Sequence, residues 1–362
     1  MNRFSFLKPA MNGQAGEPGE LFPNFRFFHD QLPDDRQRAF YEAVETAVCR
    51  AQPVLMCSSV PGLDPSGHMR ILEHVYDDHP ECLGFFPLGS RFRQLPGGRC
   101  MISLCYRYDA RTQAGYLTGL EAAVRDVLHA CFPQGWAQTD ELRREKAIFD
   151  WITRYVVYNH DASALIGEGN LQKQAPSVAW NAYGALVERS AVCEGIACAF
   201  KLLCDQVGLP CIVVLGHART SRHAWNMVRV HGKFYHVDCT WDLSSTLSRE
   251  IPYARYRYFN LPDSVIRLTH TPESAYLPVC GSMAYNPFRL RGLCAEREEE
   301  LLPLAMKTVG HGAMRFALMA LGFSIPVPLA ADTAERLSRV VGRRILWYLD
   351  DSGCFAGFAV EA

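Results

Sequence analysis

SAVCEGIACAFKLLCDQVGLPCIVVLGHARTSRHAWNMVRVHGKFYHVDCTWD, residues 190–242, is the stretch that decides the fold. Across 192–207 the apolar residues Ile196, Phe200, Leu203 and Val207 recur every three or four positions, which is a helical period. Gly208 and Pro210 supply stop signals, and 211–215 is an unbroken apolar run, rich in β-branched residues, that reads as a buried strand. A hinge containing Gly216, His217 and Arg219 follows. Residues 223–230 read as a second strand, Gly232 as a tight turn, and 233–238 as a third strand. A helix running into an antiparallel hairpin gathers Cys193, His223 and Asp238 if the hairpin crosses the helix N-terminus.

Chemistry gives each of these residue types a reason. A thiol attacks as its thiolate, and the unpaired amides and positive end of a helix N-terminus favour an anion there. A histidine in reach takes the thiol proton and returns it to a leaving group, while a carboxylate on the far ring nitrogen fixes the tautomer. His223 and Asp238 fall on facing strands, so the second is placed to orient the first. The amide of Cys193 or a neighbour is placed to donate to a developing oxyanion.

The motifs VCEGIACAFKLL, RHAWNMV and KFYHVDCTWD, in this order, resemble the transglutaminase-like superfamily. The resemblance is clear over residues 146–270, and DSVIRLTH, following YFN, resembles a sequence common beyond the triad in bacterial members. It implies an α+β fold: a papain-like, transglutaminase-like core with an N-terminal α/β extension and a small C-terminal unit. It also implies Cys193 as nucleophile, His223 as base and acid, and Asp238 as orienting carboxylate. No upstream residue matches a second oxyanion donor.

Several residues compete for these roles. A cysteine in a core helix is ordinarily an inert small hydrophobe, and Cys198, Cys204, Cys211 and Cys239 read as packing. His236 stands two positions before Asp238, hence on its face of the strand, and reads as a neighbour of the site. His217 reads as a solvated loop residue. Trp225 and Trp241 read as packing, with a groove-lining role as the alternative. His160 and Asp161 read as cap and turn residues. His68, His74 and His79 do not share one helix face and read as surface or cap residues.

The remaining chain is bounded by length and composition. With 362 residues, 49% of them apolar, it can bury a large core and divide into two or three units. Its charge of −1, from 37 basic and 38 acidic residues, gives no reason to expect a nucleic-acid partner. The fourteen cysteines show neither CxxC pairs nor zinc-like spacing. There is no convincing signal peptide and no stretch of membrane-spanning length, so a cytoplasmic location is expected.

The expected organisation is a lead-in over 1–24, an N-terminal extension over 25–135, a catalytic core over 136–285 and a C-terminal unit over 286–362. Helices are expected at 32–50, 67–79, 118–130, 140–157 and 333–341, with a short helical lead-in at 181–187 and a charged, helical segment at 293–305. Strands are expected at 83–88, 100–108, 253–259, 345–349 and 355–360, and the last two are joined through DDSG as a hairpin. The extension resembles the portion that precedes the core in bacterial transglutaminase-like proteins. The polar stretch 158–177 is long enough to border a cleft.

Two classes of function follow. The first is thiol-dependent acyl transfer or hydrolysis at an amide of a protein or peptide substrate, with amine or water as acceptor. The second is a non-catalytic structural or interaction protein on a retained papain-like core, against which the intact triad argues. A metal-dependent hydrolase stands third, without an HExxH-like set. The thiol mechanism requires no cofactor, and no EF-hand loop calls for calcium. The oligomeric state is left open.

Overall fold

The computed structural model describes residues 25–164, 177–243, 251–350 and 352–361. The expected lead-in over 1–24, and residues 165–176 of the expected loop, lie outside these. The chain forms two compact units, residues 1–213 and 214–362.

The first unit opens with α1 (Phe27–Asp30) and α2 (Asp35–Cys49). The Asp34 side chain caps α2 by accepting from the amides of Arg36 and Gln37, satisfying two of the donors a helix start leaves unpaired. The strand β1 (Val54–Ser58), the helix α3 (Pro65–Asp78), and the strands β2 (Arg91–Leu95) and β3 (Arg99–Ser103) follow. The three strands form an antiparallel sheet in the order β1-β3-β2. Cys100 and Ile102 of β3 are buried against Val44 and Val48 of α2 and Leu72 and Val75 of α3.

Two strand expectations are corrected here. Residues 83–88 pair only through the bridge Phe85 to Tyr106, because Gly84 takes φ +85° and Pro87 opens a 3-10 turn; β2 is the partner of β3 instead. The strand expected over 100–108 stops at Ser103.

The expectation of surface or cap histidines is corrected in part, since His79 is the C-terminal cap of α3. His68 and His79 are buried. His68 accepts from the Val60 amide at Nε2, while its Nδ1 lies 2.8 Å from the Asp64 carbonyl. His74 stacks on Phe28, and burial pushes its imidazole down to about 4. Each ring finds an aromatic or backbone partner that spacing along the chain does not reveal.

The unit continues through α4 (Ala110–Cys131), longer than expected, and α5 (Glu141–Tyr155), capped by Asp140. Next come β4 (Val157–Tyr158), α6 (His160–Ala164), α7 (Ala182–Leu186), β5 (Ser190–Ala191) and α8 (Cys193–Gln206). A parallel ladder joins β4 to β5. His160 and Asp161 form the exposed first turn of α6, with the Asn159 side chain capping it. In α8 every residue is buried except the partly exposed Glu194. Lys201, fully buried, reaches Asp205 Oδ2 at 2.7 Å and the Cys211 carbonyl at 3.0 Å. Its charge is thereby paired inside the unit, as a buried ammonium requires.

The strand β6 (Cys211–Ala218) is longer than the expected 211–215 and includes Gly216 and His217. In the second unit it belongs to a four-stranded sheet ordered β8-β7-β6-β9, with β7 (Ser221–Val230), β8 (Lys233–Val237) and β9 (His270–Pro272). His231 and Gly232, with φ of +47° and +77°, close the β7 to β8 hairpin, the backbone a tight two-residue turn demands.

The aromatic strand expected over 253–259 is a 3-10 turn, Pro252–Tyr256. Side chains satisfy this backbone in place of a ladder. Asp242 accepts from the Tyr258 amide, and Asn286 donates to the carbonyls of Tyr256 and Phe259.

The short helices α9 (Asp263–Ile266) and α10 (Pro287–Leu290) lead to a second sheet ordered β10-β11-β13-β12. Its elements are β10 (Cys294–Ala295), α11 (Leu301–Gly310), β11 (Arg315–Ala320), α12 (Val327–Val341), β12 (Ile345–Leu349) and β13 (Phe355–Val360). The segment expected as helix over 293–305 is thus split into strand and helix, whereas β12 and β13 lie where the sequence places them. Phe316, Leu318, Leu337 and Phe358 fill this core.

Candidate active site

In the first unit, Cys193 is the first residue of α8 and only 8% exposed. Val192 precedes it with extended backbone (φ −84°, ψ 175°) and without a side-chain cap. The start of the helix is held by close backbone approach. The Val192 amide donates to the Ala179 carbonyl at 3.0 Å, and Gly195 lies against the 3-10 turn Val178–Trp180. Glu194 accepts from the Tyr76 hydroxyl at 2.6 Å, so the acidic residue beside Cys193 is held by α3.

In the second unit, His223 lies on β7 and Asp238 directly follows β8. His223 Nε2 is 2.7 Å from Asp238 Oδ2. The carboxylate is completely buried, and its other oxygen accepts from the Trp241 amide at 3.1 Å. Burial pushes the Asp238 carboxyl upward, but the charge of His223 and hydrogen bonds from His223 and His270 outweigh it. The group is held well below the usual carboxylate range. An ionised carboxylate only accepts, so the hydrogen-bond network assigns the proton of His223 to Nε2 and makes Nδ1 the basic nitrogen.

The competing histidines separate cleanly. His236 accepts from Trp225 Nε1 at Nδ1, 3.1 Å away, and its Nε2 is 3.1 Å from Asp263 Oδ1. The ring of its partner Trp225 stacks on His223 at 6.1 Å and 15°. His217 is half exposed on β6, with Glu273 its ion-pair partner at 3.9 Å, so the loop expected there is replaced by a strand. Cys198, Cys204, Cys211, Cys239 and Trp225 are buried, as packing residues should be.

His270, which closes the DSVIRLTH motif, carries no role that its sequence neighbours suggest. The structure places its Nε2 3.0 Å from Asp238 Oδ2. These residues are 32 positions apart, so no local period signals the contact.

Among the described residues, two groups bring ligand-type atoms within 4.8 Å: His79, Glu81 and Cys82, and His223, Asp238 and His270. Hydrogen bonds account for much of this proximity. His79 Nδ1 lies 2.9 Å from Glu81 Oε1, and both other rings meet Asp238 Oδ2.

Residues 129–239 match the family profile described as Transglutaminase-like superfamily. Over these residues the chain is similar to the transglutaminase-like superfamily. Kyphoscoliosis peptidase of Mus musculus is 25% identical over 232 residues, covering 53% of this chain and 32% of that protein. The Homo sapiens protein of the same name is 26% identical over 172 residues, covering 43% of this chain and 24% of the relative. The matches therefore span about a third and a quarter of those relatives. A solved structure of a TGase is 13% identical, covers 53% of this chain and 52% of that chain, and has a TM-score of 0.29, too low to define a common fold. No described helix is long and apolar enough to cross a membrane.

Proposed function

We propose that the chain catalyses thiol-dependent acyl transfer or hydrolysis at amide bonds of a protein or peptide, with Cys193, His223 and Asp238 as the reacting set. The observation that carries this reading is the buried pair of His223 and Asp238, whose geometry leaves Nδ1 as the basic nitrogen. The superfamily match encloses all three residues, and the curated relatives are named peptidases. All fourteen cysteines are free thiols, which fits a reducing, cytoplasmic location.

In the proposed reaction the Cys193 proton passes to His223 Nδ1 as sulfur attacks the amide carbonyl. The carbon–nitrogen bond then breaks, and His223 gives the proton to the departing amine. Water or a primary amine next attacks the thioester, losing its proton to His223 and releasing Cys193. Asp238 stabilises the imidazolium in both steps.

The test offers the native protein and Cys193→Ala a mixed peptide library, with and without a primary amine, and follows product masses. Cleavage identifies a peptidase, an amine adduct identifies transglutamination, and a gain of about one dalton at glutamine identifies water capture of the acyl-enzyme. Comparable turnover by Cys193→Ala defeats the mechanism. Inactivity of the native protein across the library moves the weight to an interaction role.

A further inference from the structure

His270 departs from the ordinary pattern of a buried core histidine, because it shares one carboxylate oxygen with a second histidine. Asp238 Oδ2 is 2.7 Å from His223 Nε2 and 3.0 Å from His270 Nε2. The carboxylate accepts from both, so each ring carries its proton on Nε2. At the opposite nitrogen of His270, Nδ1 lies 2.7 Å from Thr269 Oγ1, the hydroxyl that fixes this tautomer. The Thr269 hydroxyl is also 3.3 Å from the Ile266 carbonyl, a longer alternative for its single proton.

The backbone is built to bring His270 to this place. In β6 and β9, Ala218 is the register partner of His270 and Gly216 that of Pro272. A Cβ on Gly216 would lie 2.3 Å from the Thr271 carbonyl oxygen and 2.9 Å from the Trp225 ring. Glycine at this position is what lets β9 and Trp225 approach β6 so closely. The rings of Trp225 and Trp241 then flank His270 with centroids 5.0 and 4.7 Å away, and its side chain is fully buried.

We propose that His270 is a positioning residue for Asp238: it holds Oδ2 in the orientation that keeps the His223 Nε2 proton engaged and Nδ1 basic. The proposal rests on the reading of Cys193, His223 and Asp238 as the reacting set. His270 touches no reacting atom in that scheme and acts only through the carboxylate. The titratable and charged groups around it are Asp238 and His223 by contact, Tyr258 by its ring, and His236 through charge. Asp242 with its partner Arg257 lies behind Asp238.

The test reads the pH profile of Cys193 alkylation by iodoacetamide in the full chain, with peptide mass spectrometry resolving each cysteine. On the reading of Cys193 and His223 as reacting partners, native Cys193 is expected to react at a pH where an ordinary thiol, near 8.5, does not. His270→Phe keeps a ring and removes the donor. Labelling at about pH 6 is expected to fall about tenfold, with little change at about pH 9, where the thiolate forms without the imidazolium.

His270→Gln, whose amide can donate to Oδ2, is expected to restore most of the labelling at low pH. A merely structural role would instead raise labelling of several buried cysteines without changing the shape for Cys193. A native-like profile in His270→Phe overturns the proposal. Where His270→Phe does not fold, Thr269→Val carries the test, since it keeps His270 and removes the hydroxyl at Nδ1. A drop at low pH confined to Cys193 supports positioning, and an unchanged profile overturns it. A native profile without the low-pH limb, unmoved by His223→Ala, defeats the reacting set itself and this proposal with it.

Discussion

Gly195 of α8 approaches the Ala179 carbonyl so closely that a Cβ at position 195 would lie 2.4 Å from that oxygen, and 2.9 Å from the carbonyl oxygen of Asn181. Both neighbours are backbone, so neither can rotate away. Gly195→Ala should therefore force the start of the helix off its support, at a cost in the range of about 1–3 kcal/mol for overpacking. Gly115, inside α4, supplies the contrast because nothing lies within 4 Å of the place a Cβ would take there. Gly115→Ala should raise stability by about 0.5–1 kcal/mol through helix propensity alone. Urea unfolding of both variants checks the pair, and equal effects would contradict the packing described for α8.

Asp238 should matter for turnover through its charge. Its depressed folded value makes the sign definite: the stabilising contribution is complete above the unfolded value of about 4 and fades as pH falls through the folded one. At neutral pH, Asp238→Asn thus removes an interaction that is fully present, and it lets the amide favour the wrong tautomer of His223. The turnover number on a peptide selected from the library is expected to fall by roughly 10³–10⁴. A loss of less than about tenfold would show that the carboxylate does not orient the base.

The match of expectation to structure is uneven for physical reasons. The helix holding Cys193 and the hairpin holding His223 and Asp238 are legible from local signals, the apolar spacing and the Gly208 and Pro210 stops of the one and the apolar strands and Gly232 turn of the other, and not from alternating burial, since most of α8 and β7 is buried. The turn Pro252–Tyr256 is not legible, since aromatic residues buried from an irregular backbone look like a strand. Its support comes from Asp242 and Asn286, distant polar side chains with no periodic signature. His68, His79 and His270 escape a sequence reading for a related reason: each also meets a distant residue brought by tertiary packing, Phe40 and Phe92 for His68, Glu45 for His79 and Asp238 for His270. Conversely, the pair Asn226 to Val237 and the turn at Gly232 are local and can be read directly.

His79 gives the first unit a pH dependence of its own. Burial lowers its imidazole, but the carboxylates of Glu81 and Glu45, at 2.9 and 3.2 Å, outweigh burial and hold it well above the ordinary histidine value. The native state therefore binds more protons than the unfolded chain over that interval. The contribution is complete below about pH 6.5 and is lost as pH rises through the folded value. Melting temperature should decline between about pH 6 and pH 9 by a few degrees more in the native protein than in His79→Gln. Parallel pH slopes for the two proteins would refute the assignment.

The fourteen cysteines provide an internal competition that needs no substrate. Burial pushes the thiols of Cys57, Cys131 and Cys294 up to about 12. It also raises Cys198, Cys204, Cys280 and Cys354, while Cys82 is raised first by its hydrogen bond with Cys49 and then by burial. Thiols held protonated alkylate slowly, because the thiolate is the nucleophile. Cys193 instead stands at the start of α8, where unpaired amides favour an anion. Brief exposure of the folded protein to iodoacetamide at about pH 7, followed by peptide mass spectrometry, should label Cys193 ahead of these eight by about tenfold or more. His223→Ala should remove most of that lead without unmasking the others. Equal labelling across several cysteines, or protection of Cys193 while Cys57 or Cys131 reacts, would assign Cys193 to packing and leave the chain without its nucleophile.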